Sequence, residues 1–216
     1  MLSLYPSLIA ADQLNLKDAI SNLEKWCQGF HCDVMDNHFV PNLTWGAPTV
    51  NALDQATEKP LWVHLMVTNP LGMLKQLELK PDSLLSFHFE STRDPEEVIN
   101  RIKEKKWRSS LVLSPKTTLE ASFSLLHLLD QLLIMSVEPG AGGQAFISDS
   151  LKKIEHLAAK RAELNLPFTI GVDGGINQQN IASVCSAGGQ ELVVGTAVFG
   201  QRDRIAALEK LYKTCE

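Results

Sequence analysis

The chain has 216 residues, of which 44% are apolar and 21% are charged, a composition that supports a sizeable core in one large α/β domain or two small ones. Its formal net charge is −5, so the overall charge gives no reason to expect nucleic acid or an anionic membrane as a partner. An anionic substrate would have to be bound by local groups.

Short runs typical of β-strands alternate with helical patterns from one end of the chain to the other. Helices are predicted at about residues 12–27, 47–56, 70–79, from 94 onward, and at 119–128, 148–164, 177–185 and 203–212. The helix beginning at Asp94 has the clearest start, since Asp94 can cap it, Pro95 suits its first turn and Glu97 lies three residues after the cap. Strands are predicted at residues 4–10, 30–35, 61–67, 84–89, 110–113, 132–137, 168–172 and 192–195.

These elements form eight β-then-α units with no linker or low-complexity segment between them. Such alternation predicts a parallel sheet with helices outside it, and eight units in 216 residues predict a closed barrel near the lower size limit of that fold. We therefore expect residues 1–216 to form a single (β/α)8 TIM barrel of the α/β class. A doubly wound open sheet is the alternative, but it usually has fewer strands and a glycine-rich first turn, and no GxGxxG follows the first strand here.

The cysteines and the apolar segments indicate the compartment. Cys27, Cys32, Cys185 and Cys215 form no CxxC pair, and a chain of this length does not need disulfides for stability, so we expect reduced thiols. The first sixteen residues contain no Lys or Arg, and no apolar run approaches the roughly 18 residues of a membrane span. The sequence thus predicts a soluble, cytoplasmic protein that binds neither nucleic acid nor a membrane.

Polar side chains at the ends of predicted strands are candidates for a functional site, because barrels of this type place their chemistry there. His31 and Asp33 lie two residues apart on the second strand and so point to the same side. His64 lies on the third strand, and Asp173 follows the seventh. Each could serve the core or a turn, but four ligand-type residues at one rim predict a divalent metal site. Imidazoles and carboxylates without a thiolate suit zinc, manganese or ferrous iron.

Glycine-rich turns follow the last three predicted strands, at residues 140–143, at Gly174 and Gly175, and at Gly195 before Thr196. Glycines let backbone N–H groups approach an anion closely, and the loops after strands seven and eight of such barrels often bind phosphate. Tight βα turns are the alternative explanation. Three such turns on consecutive strands favour phosphate binding.

Five segments spread along the chain form a recognisable set. They are Pro6-Ser7, residues 31–42 (HCDVMDNHFVPN), residues 64–67 (HLMV), residues 135–140 (MSVEPG) and residues 172–176 (VDGGI). In order and spacing they closely resemble the signature segments of ribulose-phosphate 3-epimerases.

The resemblance implies a (β/α)8 barrel that interconverts D-ribulose 5-phosphate and D-xylulose 5-phosphate by proton transfer at C3 through an enediolate, in the pentose phosphate pathway. It implies one divalent metal ion, most readily zinc, with iron, manganese or cobalt as alternatives. It also implies a homo-oligomer that binds a small sugar phosphate as its substrate. Asp33 and Asp173 would be the acid/base pair. The metal ligands would be His31, Asp33, His64 and Asp173. The substrate would contact Ser7, His64, Gly140, Ala141, Gly142, Gly143, Gly174, Gly175, Gly195 and Thr196.

Some positions have two possible roles or depart from the family's signature. Met35, Met66 and Met135 match methionines that pack around the reacting carbons in the family, but core packing explains them almost as well, so they are left outside the predicted site. Asn37 stands where the signature commonly has Gly, and both residues tolerate left-handed backbone. Ala141 replaces the usual Phe of the glycine-rich loop and so removes a bulky apolar residue. Residues 8–11 and 114–116 are further variants.

These departures remove no predicted ligand or acid/base residue, so they affect substrate preference more than reaction type. An epimerase for a six-carbon ketose phosphate is the nearest alternative. A lyase or decarboxylase of the same fold is another, although it would place a lysine between aspartates on a strand. A third is a barrel that only binds a sugar phosphate, which would not need two carboxylates across the sugar.

Overall fold

The computed structural model of the protein describes residues 2–215. Each strand follows a predicted run to within a few residues, because runs rich in Val, Ile, Leu and Phe fit the buried strands of a parallel sheet. The strands are β1 (Ser3–Pro6), β2 (Phe30–Met35), β3 (Leu61–Met66), β4 (Leu84–His88), β5 (Arg108–Leu113), β6 (Gln131–Met135), β7 (Thr169–Asp173) and β8 (Glu191–Val194).

The eight strands are parallel and form one sheet in the order β1-β8-β7-β6-β5-β4-β3-β2. Ser7, just after β1, makes an isolated parallel bridge to His31 on β2. This bridge brings the two ends of the sheet together, so the predicted (β/α)8 barrel is confirmed. It also sets Ser7 beside one of the predicted metal ligands.

Helices surround the sheet, and α4 shows why they form where they do. The Asp94 carboxylate accepts the N–H of Glu97 at 3.0 Å, as the predicted cap requires, and Val98, Ile99 and Ile102 are buried. The helices are α1 (Leu16–Leu23), α2 (Ala47–Gln55), α3 (Pro70–Leu74), α4 (Pro95–Glu104), α5 (Ser150–Glu163), α6 (Ile181–Ala187), α7 (Thr196–Phe199) and α8 (Arg204–Thr214).

Several segments differ from the prediction. The helix expected at 70–79 ends at Leu74, and α7 was not predicted. The helix expected at 119–128 is replaced by two short 3₁₀ turns, Leu119–Ser122 and Leu126–Leu128. The Ser122 hydroxyl donates to the carbonyl of Leu119 at 2.7 Å, a local bond that competes with α-helical pairing. Residues 8–10, expected to continue β1, likewise form a 3₁₀ turn.

A polar layer crosses the N-terminal end of the barrel, opposite the predicted site. Arg108 and Glu191 form an ion pair at 3.1 Å, and the Glu191 carboxylate also accepts from Gln131 at 2.6 Å and from Thr169 at 2.7 Å. Burial, with the Glu191 charge nearby, raises the pKa of Tyr5 to about 12. Because the charges of this layer are paired with each other inside the protein, the layer has a structural role and needs no ligand to explain it.

The cysteines do not behave as expected from the sequence. Cys185 of α6 and Cys215, at the end of α8, form a disulfide with their Cα atoms 6.2 Å apart, so the prediction of four reduced thiols is wrong for this pair. The two residues are 30 positions apart in sequence, and only the packing of α6 against α8 brings them together. Cys27 and Cys32 are free and buried. Among residues 2–215, no helix is both long and apolar enough to cross a bilayer.

Candidate active site

The four predicted metal ligands come together at the C-terminal ends of three strands. Asp33 on β2 lies beside His64 on β3 in the sheet register, and both residues are buried. His31 lies two residues before Asp33 and faces the same way, and Asp173 is the last residue of β7. One ligand atom from each of the four side chains lies within 4.8 Å of the other three.

Two ring nitrogens in this cluster have no hydrogen-bond partner among residues 2–215, although both are buried. They are Nε2 of His31 and Nδ1 of His64. His64 Nδ1 lies 3.3 Å from Asp33 Oδ1 and 3.4 Å from Asp173 Oδ2, and His31 Nε2 lies 3.8 Å from the same Asp173 oxygen. An ion such as zinc holds N and O ligands at about 2.0–2.2 Å, which separates tetrahedral ligand atoms by roughly 3.3 Å. The cluster therefore fits a divalent ion, which would also satisfy both orphaned nitrogens.

The electrostatics of the cluster also favour a cation. Burial alone would raise the pKa of Asp33, but the nearby imidazoles of His31 and His64 lower it below its ordinary range. Burial would lower the pKa of His64, but the close carboxylates of Asp173 and Asp33 raise it to about 9. The two carboxylates thus stabilise positive charge at the point where they converge, as a metal site requires.

Hydrogen bonds around the cluster hold the ligands in place. The Ser7 hydroxyl donates to Asp33 Oδ2 at 3.0 Å and lies 3.4 Å from Nδ1 of His31. The Nδ1 side of the His31 ring thus faces Ser7 and Asp33 Oδ2, which is 3.3 Å away, and Nε2 faces Asp173. The Ser136 hydroxyl donates to the backbone carbonyl of Asp173 at 3.0 Å. Ser7 was predicted only as a substrate contact, and the structure adds a hydrogen bond from Ser7 to Asp33, one of the predicted metal ligands.

The turn after β2 is fixed by one carboxylate. Asp36 accepts the N–H groups of His38, Phe39 and Thr68, each at 2.8 Å. Burial opposes ionisation, but these bonds lower the pKa of Asp36 below its ordinary range. Asn37 has φ 57°, the left-handed backbone that Asn tolerates in place of the family's Gly.

A cavity of about 430 Å³ opens above the cluster. Among the residues that line it are Asp33 and Asp173, whereas His31 and His64 lie fully buried beneath it. Among residues 2–215, no Lys or Arg lines this cavity. Of the ten predicted substrate contacts, all but His64 reach the cavity wall: Ser7, Gly140, Ala141, Gly142, Gly143, Gly174, Gly175, Gly195 and Thr196.

Three methionines lie in the same wall. Met35, Met66 and Met135 all line the cavity, although each is nearly inaccessible to solvent. They end β2, β3 and β6, and their flexible thioethers give the cavity an apolar part of its wall. The sequence showed their positions, but not that they face a ligand-sized space rather than the core.

A second histidine layer was missed by the sequence analysis. His88 ends β4 and is fully buried, with Nε2 3.0 Å from Nε2 of His64, and its Nδ1 lies 3.3 Å from Glu90 Oε2. Burial lowers the pKa of His88 to about 4, so the ring is neutral near pH 7. A histidine at the C-terminal end of a fourth strand, like those on β2 and β3, is the signal that could have found it.

The glycine turns above the cavity depend on backbone conformations that side chains resist. Gly140, Gly143, Gly174 and Gly175 all have positive φ. At Gly174, φ is 124° and an added Cβ would lie 2.5 Å from a methyl carbon of Val137. The residue after Asp173 must therefore be glycine for the β7 turn to keep its shape.

Replacing Gly174 with Ala should lower the free energy of unfolding by about 1–3 kcal/mol, because it adds backbone strain to a steric clash. Gly142→Ala is the matched control, since φ there is not in the left-handed range and nothing lies within 4 Å of its added Cβ. That variant should stay within about 0.5 kcal/mol of the wild type. Urea unfolding measures both, and equal stability of the two variants would contradict the structural role of Gly174.

Residues 3–199 match the sequence model of the ribulose-phosphate 3 epimerase family. The chain belongs to this family. The ribulose-phosphate 3-epimerase of Bacillus subtilis (strain 168) is 36% identical over 215 residues, which cover 98% of each chain. That of Schizosaccharomyces pombe is 39% identical over 198 residues, covering 90% of this chain and 85% of its own. Membership of the ribulose-phosphate 3 epimerase family makes the protein an isomerase acting on a carbohydrate phosphate, so the lyase and the binding-only alternatives lose their support.

More distant solved structures share the barrel. The 3-hexulose-6-phosphate synthase of Salmonella typhimurium superposes with a TM-score of 0.68 at 16% identity, covering 99% of this chain and 98% of that one. The orotidine 5'-phosphate decarboxylase of Pyrococcus horikoshii OT3 gives a TM-score of 0.68 at 12% identity and covers 98% of both chains. At such low identity these likenesses concern the fold alone.

Proposed function

We propose that the protein interconverts D-ribulose 5-phosphate and D-xylulose 5-phosphate by moving the proton on C3 between two faces of the sugar. The observation that carries this proposal is the convergence of Asp33 and Asp173 on one metal-type cluster at the floor of the cavity. Epimerisation needs a base on one face and an acid on the other, and these two carboxylates come from separate strands of the barrel. The relatives from Schizosaccharomyces pombe and Bacillus subtilis are named for the same reaction, which supports the proposal.

The two aspartates exchange roles with the direction of the reaction. Asp33 takes the C3 proton of ribulose 5-phosphate, and Asp173 delivers a proton to the opposite face to give xylulose 5-phosphate. In the reverse direction Asp173 is the base and Asp33 the acid. The Ser7 hydroxyl, 3.0 Å from Asp33 Oδ2, holds that carboxylate in place during the transfer.

The enediolate formed between the two proton transfers is the part of the reaction that needs stabilising. His31, Asp33, His64 and Asp173 would hold a divalent ion, for which zinc is our first choice and iron, manganese or cobalt are alternatives. Such an ion supplies Lewis-acid stabilisation of the charge on the enediolate oxygens. Met35, Met66 and Met135 exclude water from the apolar side of the cavity, which strengthens these charge interactions.

The phosphate group would lie at the glycine-rich side of the cavity. Within the described part of the chain, no cationic side chain lines the cavity, so the anion would be bound by backbone N–H groups of the turns at 140–143, 174–175 and 195–196. Ala141 lies in this wall and leaves more room there than the family's usual Phe. The extra room makes the chain length of the sugar, five or six carbons, the property of the substrate to test.

The proposal is tested by incubating metal-analysed protein in heavy water with ribulose 5-phosphate and following C3 by NMR. We expect xylulose 5-phosphate with deuterium at C3. A parallel incubation with a six-carbon ketose 6-phosphate should give much slower turnover. Failure to convert ribulose 5-phosphate, with the metal confirmed in the protein, would overturn the proposed substrate, and conversion of the six-carbon sugar alone would assign it instead.

A further inference from the structure

A chain of polar contacts leads from the buried cluster through His88, which is also buried, to Glu90, which is exposed to solvent just after β4. His64 Nε2 lies 3.0 Å from Nε2 of His88, and His88 Nδ1 lies 3.3 Å from Glu90 Oε2 and 3.2 Å from the Ser114 hydroxyl. The His64 and His88 rings stack with centroids 5.1 Å apart, and Phe39 packs against His88 at 4.7 Å. His88 does not line the cavity, so it meets no substrate there.

The far end of this chain is anchored to the backbone. Glu90 Oε1 accepts the N–H of Ser114 at 3.1 Å and also accepts the hydroxyl of Thr117. One oxygen of the Glu90 carboxylate is thus tied to the loop after β5, while the other faces His88. The carboxylate cannot turn away from His88 without losing both anchoring bonds.

If His64 Nδ1 binds a metal, the contacts assign the hydrogens on both rings. Nδ1 of His64 faces the two aspartates, so it must offer a lone pair if it is to bind a metal. The hydrogen of a neutral His64 is then on Nε2, which donates to His88. His88 Nε2 is consequently the acceptor, and its own hydrogen is on Nδ1, directed at Glu90 Oε2 and the Ser114 oxygen. Each nitrogen along the chain then has a partner of the right kind.

We propose that His88 and Glu90 are positioning residues that hold His64 in the tautomer and ring orientation needed to present Nδ1 to the metal. The inference rests on the proposed metal site, but it concerns metal affinity rather than the reaction. A histidine ligand usually donates its second ring nitrogen to such a partner, and removal of the partner typically weakens metal binding 10–100-fold. Here the partner of His64 is the neutral imidazole of His88, which is in turn held by the carboxylate of Glu90.

The test is Zn²⁺ affinity measured by competition with a chromogenic chelator. His88→Phe keeps a ring of similar shape but removes the acceptor, and we expect it to bind Zn²⁺ about 10–100-fold more weakly than the wild type. His88→Gln can place an amide oxygen near the position of Nε2 and should restore most of the affinity. His127→Phe, at an exposed histidine, is the matched control and should bind as the wild type does.

Tautomers measured by ¹H–¹⁵N NMR on the zinc-loaded wild type give an answer even if the His88 variants fold poorly. We expect the hydrogen on Nε2 of His64 and on Nδ1 of His88. A His88 hydrogen on Nε2, or a well-folded His88→Phe variant with unchanged Zn²⁺ affinity, would overturn the inference and leave the proposed function intact. A wild type that binds no Zn²⁺ would instead overturn the proposed zinc site together with this inference.

Discussion

Replacing Asp173 with Asn should reduce epimerisation more than about 100-fold, the usual scale of acid–base catalysis, while the barrel stays folded. The amide has nearly the same shape as the carboxylate but can neither accept nor deliver the C3 proton. Asp173 ends β7, and the Ser136 bonds that shape this strand end are to the backbone carbonyls of Asp173 and Gly174, which the substitution keeps. Turnover of ribulose 5-phosphate, with the metal content and the unfolding curve measured alongside, checks the prediction.

Asp82→Asn is the control for this substitution. Asp82 is exposed and has φ 64°, a conformation that Asn tolerates well, so the same chemical change should leave both stability and activity near the wild-type values. Near-normal turnover in Asp173→Asn, with metal bound, would remove the two-carboxylate mechanism.

Removing the metal should abolish activity to a similar or greater extent. Without the cation, the charge on the enediolate loses stabilisation of several kcal/mol, which corresponds to more than about 100-fold in rate. Dialysis against a strong chelator, followed by assay and elemental analysis, measures the loss. Added Zn²⁺ should restore turnover, whereas Ca²⁺ should not, because Ca²⁺ prefers more oxygen ligands and longer bonds.

Circular dichroism of the protein after the chelator has removed its metal shows whether activity is lost with the metal alone or with the fold as well. The strands are held together by backbone pairing, and the apolar core contains none of the four cluster residues, so the barrel spectrum should persist. Full activity in protein shown to contain no metal would contradict the metal-assisted account.

The sequence predicted the barrel because its local signals and its tertiary structure agree. Buried parallel strands require nearly continuous apolar runs, so polar residues within them, such as His31, Asp33 and His64, stand out. The same residues proved to be the cluster. The signal was weak where side chains compete with helical pairing, as Ser122 does in the predicted helix at 119–128.

Other features arise from contacts that a single strand or helix does not reveal. The bond between Cys185 and Cys215 depends on how α6 meets α8, and nothing in their spacing indicates it. His88 was missed because one histidine on an apolar strand is usually a core residue, and only its contact with His64 distinguishes it. Met35, Met66 and Met135 likewise face the cavity only because the strands close into a barrel.

The most direct test of the two-carboxylate mechanism is deuterium exchange by the single variants in heavy water. With Asp173→Asn, Asp33 remains as a base, so C3 of ribulose 5-phosphate should take up deuterium without forming xylulose 5-phosphate. With Asp33→Asn, C3 of xylulose 5-phosphate should exchange instead. If both metal-loaded variants still interconvert the two sugars, the two-carboxylate mechanism is wrong. If each variant exchanges the other's substrate, Asp33 and Asp173 act on the reverse of the faces assigned to them.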